Sequence, residues 1–296
     1  MSLQRLTLVP QAQGKKKLAE RQPARFTPQL VTPQKQIAEV TSISRLARGE
    51  RWRTEAMRSY DRPVLLWFTR GQGRITIAGR SGGYSAHSAI FLPAGTMHGF
   101  SVTSAVFGSM IRLTETNGFD WPSEPLHLRL REVHLQRELT GMIDAMEREQ
   151  NADAPAKSQA IVHHEGLLSI WFERTRMADA AVSTDTKQPD AAMRLSEAFT
   201  ALVERDFRKP VGVQHYAAKL GVTPTHLTRT CRQAAGRAAL DILTDRRHFE
   251  ACRMLKDTDL PVGRIATETG FASPAYFTRA FRAKSGQSPT EFRLSK

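Results

Sequence analysis

The chain has 296 residues, 40% of them apolar, enough for two domains with their own cores and too many for one small cross-linked module. Lysine and arginine total 43 against 29 aspartate and glutamate, and the formal charge of +14 favours an anionic partner, nucleic acid first, over an acidic-substrate enzyme. Two cysteines are too few for a disulfide framework or a multi-thiolate zinc site, which fits a reducing, cytoplasmic setting; with neither ~18 unbroken apolar residues nor a secretory h-region, membrane and export readings are set aside.

Residues 1–36 are rich in Gln, Lys, Pro and Arg with few clustered apolar groups, so they read as a basic mobile arm. From Val64 the texture changes to short apolar runs broken by glycine: VLLWFT (64–69), RITIAG (74–79), AIFLPAG (89–95) and AVFGSMIRL (105–113). Even spacing of such runs predicts an antiparallel barrel or sandwich over 37–125, with Gly71, Gly73, Gly79, Gly82 and Gly83 supplying positive φ at corners. After Glu124 the period lengthens to between three and four. Leu135, Leu139, Met142 and Met146 form one stripe, and Ile161, Leu168 and Trp171 or Phe172 another, so 126–180 is expected to hold helices that either pair protomers or pack on the barrel. The polar, aperiodic AVSTDTKQPD (181–190) is a linker by composition, and Asp190 is placed to cap the helix that follows.

Charge is divided along the same lines. Residues 1–60 hold 12 basic and 4 acidic side chains and residues 191–296 hold 18 and 10, leaving the centre nearly neutral. The C-terminal part is therefore suited to an anion and the middle to a task that needs no strong field.

One unit occurs twice in the last 90 or so residues: VQHYAAKLGVTPTHLTRTCRQAAG (213–236) and VGRIATETGFASPAYFTRAFRAKSG (262–286). Each copy reads as a short helix, a turn with Gly221 or Gly270, and a second helix opened by a hydroxyl and proline, Thr223-Pro224 or Ser273-Pro274. This is a helix-turn-helix, predicted at 213–235 and again at 262–285. In each second helix the apolar pair, Leu227 with Cys231 or Phe277 with Phe281, points inward at i, i+4 spacing. The opposite side carries Thr225, Thr228, Arg229 and Arg232 in the first copy and Ala275, Thr278, Arg279 and Arg282 in the second. Arginine can grip a guanine edge or a phosphate, threonine can meet a thymine methyl or a phosphate, and a helix fits the major groove. Two equivalent cationic faces in tandem point to double-stranded DNA, with Thr223 and Ser273 completing the expected contact set. Between the copies, 239–261 predicts a helix of ~18 residues and ~27 Å, able to hold the two recognition helices about one duplex turn, ~34 Å, apart. A capping box, Ser288 with Glu291, is expected to open a final helix.

Residues 192–296 resemble the DNA-binding domain of the AraC/XylS family of bacterial transcription regulators, most closely in VGRIATETGFASPAYFTRAFRAKSGQSPTEFR. RRHFEACRML resembles that family's linking helix, while Cys231 stands where a bulkier apolar residue is usual and Ala239 matches Pro289 of the second copy. GYSAHSAIFLPAGTMHGF (83–100) is similar to the second motif of cupins, through Pro93, Gly95 and His98, but the chain has no HxH pair to complete a metal site. His87 and His98 read as turn or core histidines, and His163 and His164 diverge by about 100° on a helix. No metal, cofactor or catalytic residue is expected.

The resemblances imply an α+β chain: a cupin-like antiparallel β-barrel sensor (37–125), then helices (126–180) that join two protomers as a homodimer, then an all-α DNA-binding domain (191–296) with two helix-turn-helix motifs. They imply a transcription regulator whose partners are promoter DNA, a small-molecule effector and, for an activator, RNA polymerase. Trp67, Thr69, Arg74, Thr76, His87 and His98 are the polar or aromatic candidates for the effector pocket, Arg74 favouring a carboxylate if it points inward. The rival readings are a metal-dependent cupin enzyme fused to a DNA-binding module and an effector-independent DNA-binding protein whose barrel only dimerises.

Overall fold

A computed structural model describes residues 37–48, 51–114, 118–182 and 190–295. The expected basic arm, and all but the ends of the expected linker, lie outside the described residues. The N-terminal half runs β1 (Glu39–Ser42), α1 (Ile43–Ala47), a 3-10 turn (Arg51–Arg53), β2 (Val64–Arg70), β3 (Gly73–Ile77), β4 (Arg80–Tyr84), β5 (Ser88–Leu92), β6 (His98–Phe100), β7 (Phe107–Arg112) and β8 (Leu126–Arg129). These strands pair antiparallel in two sheets, one ordered β1-β7-β2-β5-β8 and the other β4-β3-β6.

The apolar run of β2 has no polar face because both of its faces are covered. Val64, Leu66 and Phe68 point between the sheets, where they meet Ile75, Tyr84, Ile90, Phe100 and Met110. Leu65 and Trp67 point the other way and join Phe91, Ile111 and Leu128 beneath two helices, α2 (Val133–Asn151) and α3 (Lys157–Val182). A strand at the centre of a sheet covered on both sides reads as a continuous hydrophobic run.

The structure departs from the barrel expectation in closure. Among the described residues no ladder joins the small sheet to the large one, so the strands form a two-sheet sandwich and not a closed barrel. Only Gly71 and Gly79 of the five expected corner glycines have positive φ, whereas Gly73, Gly82 and Gly83 lie inside β3 and β4. The β3–β4 turn is built by Ala78 (φ 46°) and Gly79 (φ 74°), the pair of left-handed residues that a two-residue hairpin requires. Residues 126–129, placed in the helical segment by sequence, instead pair with β5 as an edge strand. LHLRL alternates, but a four-residue strand is too short to stand out from the helical period that follows.

The C-terminal half is helical: α4 (Ala191–Asp206), α5 (Val213–Lys219), α6 (Pro224–Ala235), α7 (Ala239–Asp257), α8 (Val262–Glu268), α9 (Pro274–Ser285) and α10 (Pro289–Leu294). Both halves belong to one compact unit, 36–296. Met57 and Met97 enter the core of α4–α6. The Trp52 ring lies 5.6 Å from Phe249 and 5.9 Å from Phe292, on α7 and α10.

Candidate nucleic-acid interface

Each helix-turn-helix is set by local chemistry that repeats. The Thr223 hydroxyl accepts from the His226 amide at 3.2 Å and the Ser273 hydroxyl accepts from the Tyr276 amide at 3.2 Å, each capping a helix whose first residue is proline. The preceding turns reverse through Gly221 (φ 67°) and Gly270 (φ 78°). At Gly270 the requirement is also steric, since a Cβ there would stand 2.3 Å from the Phe207 carbonyl oxygen. Both recognition helices end at a glycine in the left-handed region, Gly236 and Gly286.

The inward faces are as the spacing requires. Leu227 and Cys231 are buried with Phe199, Val203, Tyr216 and Leu243 in the first lobe. Phe277 and Phe281 are buried with Leu255, Ile265, Phe271 and Phe292 in the second. Cys231 is fully buried, and burial pushes its thiol up to about 11. Ser288 and Glu291 form the expected capping box, with bonds of 3.3 and 2.7 Å.

The outward faces stay open. Thr223, Thr225, Arg229 and Arg232 are exposed and Thr228 half-buried; Ser273, Ala275, Arg279 and Arg282 are exposed and Thr278 half-buried. The Thr278 hydroxyl turns back to donate to the Pro274 carbonyl at 3.0 Å, so its methyl faces outward more readily than its oxygen. Among the described residues Arg229, Arg232, Arg279 and Arg282 make no salt bridge, in contrast to the arginines of α7, where Arg246 contacts Glu204 at 2.6 Å and Glu250 at 3.1 Å. A guanidinium without an internal carboxylate keeps its charge and donors for phosphate or a base edge.

Sequence reasoning left three residues off these ridges. His226, Gln233 and Tyr276 are exposed on the recognition helices, and His226 Nδ1 lies 3.1 Å from Arg229 Nη2. The signal was available, since His226 and Tyr276 occupy the same place in the two copies.

The linking helix α7 has 19 residues, ~28 Å at 1.5 Å each, and buries Ile242, Leu243, Phe249, Cys252 and Leu255. It also buries Asp245, Arg246, His248 and Glu250, which the apolar pattern did not reveal. Burial alone would raise the Glu250 carboxyl, but the hydrogen bond from Arg253 and the charges of Arg246, Arg253 and Arg208 outweigh it and bring it down to about 2. Asp206, at the end of α4, is held below the usual carboxylate range by hydrogen bonds from Arg205, Lys209 and Lys219. Arg247 donates to the Phe207, Lys209 and Val211 carbonyls at 2.9, 2.6 and 2.9 Å, fixing the loop after α4 onto α7.

The six effector candidates are not brought together. Trp67 faces α2, its indole donating to the Thr140 hydroxyl at 3.1 Å. Arg74 is exposed, with no route for its guanidinium into the sandwich, and Thr76 lies 3.4 Å from the Ser81 hydroxyl on the same strand face as Arg74. Thr69 and His87 are half-buried, and His87 sits in a left-handed turn (φ 62°) with its ring 6.1 Å from that of Trp67. His98 alone points between the sheets, opposite Ile77; its Nδ1 is 2.9 Å from the Thr96 carbonyl, and burial, with Arg58 nearby, pushes it down to about 3. Alternation along β3 sends Arg74 and Thr76 to the outer face and Ile75 and Ile77 to the inner, a phase the sequence alone leaves open.

Residues 216–295 match the family model described as a helix-turn-helix domain. The chain is 31% identical over 132 residues to the HTH-type transcriptional regulator GlxA of Rhizobium meliloti, covering 43% of this chain and 40% of that one. It is 27% identical over 128 residues to the arabinose operon regulatory protein of Salmonella typhimurium, covering 43% and 46%. It thus spans less than half the length of these curated relatives. The crystal structure of apo ToxT from Vibrio cholerae is similar over 87% of this chain and 96% of that one, at 15% identity and a TM-score of 0.43. The duplicated lobes, their caps and the match over 216–295 agree on one assignment: this region is a helix-turn-helix domain.

Proposed function

We propose that the chain is a sequence-specific regulator of transcription that binds double-stranded promoter DNA through both helix-turn-helices, responds to a small molecule bound in its N-terminal half, and works as a homodimer. The observation that carries this reading is the pair of open ridges, Arg229 with Arg232 and Arg279 with Arg282, exposed at equivalent places in the repeat. Thr223, Thr225 and Thr228, and Ser273, Ala275 and Thr278, flank these arginines and complete the proposed contact set. The reading assigns no catalytic residue.

Effector control rests on the seam. Met57, Met97, Trp52 and Tyr60 of the N-terminal half pack into both lobes, so a ligand with different affinity for two arrangements of the sandwich would bias the lobes. Dimerisation rests on a groove of about 1300 Å³ lined by β8, α2 and α3. Leu167 and Ile170 stand exposed along it, and the lining mixes Arg129, Arg131 and Arg174 with Glu132, Glu138 and Asp179. A two-fold interface brings the same patch of each subunit together, and a face that carries both signs around an apolar strip supplies partners of each kind for it. Among the described residues no helix is long and apolar enough to cross a membrane.

Selection of duplexes from a randomised pool by the purified full chain tests the reading. Enrichment of one sequence, lost when Arg229 and Arg279 are both replaced by alanine, is the expected result. Retention of all sequences alike, or none, would overturn it.

A further inference from the structure

The two recognition helices, far apart in sequence, meet at one carboxylate. Asp245 lies in the middle of α7 and is 2% exposed. Its Oδ2 receives Arg237, the residue that follows the Gly236 cap of α6, and its Oδ1 receives Lys284, in the last turn of α9. The C-terminal ends of both recognition helices are thus tied to the same side chain. A third donor comes from outside the lobes, the Met57 amide at 3.4 Å from Oδ2, and Arg237 also donates to the Glu55 carbonyl at 3.0 Å.

From this geometry we infer that Asp245 is a positioning residue that fixes the separation and mutual angle of the two recognition helices, with the 55–57 segment of the N-terminal half fastened to the same point. The inference rests on the DNA-binding reading and extends it to the register between the two contacts. Side chains of α7 enter both cores, Ile242 and Leu243 the first and Cys252 and Leu255 the second. A buried carboxylate with a cation from each lobe adds a polar tie that narrows the remaining play between them, because charge-assisted bonds are directional and their loss leaves a buried charge unpaired. Burial, with the Arg237 charge nearby, lowers the Lys284 ammonium to about 8.

The repeat gives a ruler for the test. Gln233 and Ala283 are equivalent, exposed positions on α6 and α9, and the native cysteines are buried. Spin labels on Gln233→Cys and Ala283→Cys in the full chain report the distance between the recognition helices without DNA. Lys284→Met keeps the aliphatic stem and removes one arm; Asp245→Asn removes the charge at the hub and keeps its shape. The parent should give one narrow distance distribution and Lys284→Met a distribution about twice as wide, with Lys284→Arg restoring the narrow one. On a duplex selected by the parent chain, the affinity lost when one base pair is inserted between the two contact segments should fall about tenfold in Lys284→Met, since each recognition helix must enter its own stretch of groove. An unchanged distance distribution in Lys284→Met, with its melting temperature as in the parent, overturns the role of Asp245 and leaves the DNA reading standing. A widened distribution with no selectable duplex supports the positioning role and overturns the DNA reading instead. Should Asp245→Asn fail to fold, Lys284→Met and its arginine rescue decide the matter alone.

Discussion

The Ser196 hydroxyl donates to the Gly79 carbonyl at 2.7 Å, joining the first helix of the DNA-binding half to the β3–β4 hairpin of the sandwich. Arg80 and Glu197, one residue further along each chain segment, add an ion pair at 3.6 Å. Ser196 is fully buried, so the bond is made away from water and its acceptor has no ready replacement. Ser196→Ala is expected to lower unfolding free energy by ~1–3 kcal/mol. Gly79→Ala should cost more, because a Cβ there would stand 2.6 Å from the Ser196 hydroxyl oxygen and 2.7 Å from its carbonyl, at a φ that disfavours a side chain. Urea denaturation of both variants beside the parent checks the order.

Arg229→Ala and Arg279→Ala should each weaken binding to a selected duplex by ~1–3 kcal/mol and relax base preference at one position in its own half of the site. A replacement that instead weakens all sequences equally, and reduces the dependence on salt by about one ion, would mark that arginine as a phosphate contact. Anisotropy titrations at several salt concentrations separate the two.

Two buried histidines make the fold sensitive to mild acid. Burial lowers His98 to about 3 and His248 to about 4, whereas an unfolded chain takes up these protons near 6.5. The unfolded state therefore binds more protons over the window between, and stability falls as pH drops below about 6.5, by up to ~1.4 kcal/mol per pH unit for each histidine. Above that pH neither contributes a slope. Glu250, at about 2, and Asp206 lose their stabilising charge only at lower pH, so they do not confuse a comparison of pH 7.5 with about 5. The difference in melting temperature between those two conditions should shrink in His98→Gln.

The groove between α2 and α3 gives a prediction about assembly. Ile170→Glu places a charge on an exposed position of the apolar strip, 49% accessible in one chain. Sedimentation should show the parent as a dimer and this variant as a monomer, with the same melting temperature at low concentration, because the substituted side chain touches no core.

How much of this could be read from the sequence differs between the halves, and for a physical reason. The lobes were legible because duplication shows which features are required twice: the Thr223 and Ser273 caps, Gly221 and Gly270, and the ridge arginines all recur. Helical period then assigns each residue to a face without knowledge of its partners. In the sandwich nothing recurs, and a strand's phase depends on which sheet and which side it joins. That is why Trp67, on β2 of the large sheet, proved to face the helices while His98, on β6 of the small sheet, faces between the sheets, and why Arg74 proved to face outward. Asp245 was invisible for a different reason. A charged residue in RRHFE looks solvated until the ends of two helices far apart in sequence are seen to converge on it.

The proposed function requires the two equivalent arginine ridges to enter successive major grooves on one side of a duplex. Interference by methylation of guanine N7, a major-groove atom, on a duplex selected by the full chain measures this directly. Two clusters of interference separated by about one helical turn, ~10 base pairs, are expected, one disappearing in Arg229→Ala and the other in Arg279→Ala. A single cluster, or two that persist in both variants, would contradict the account.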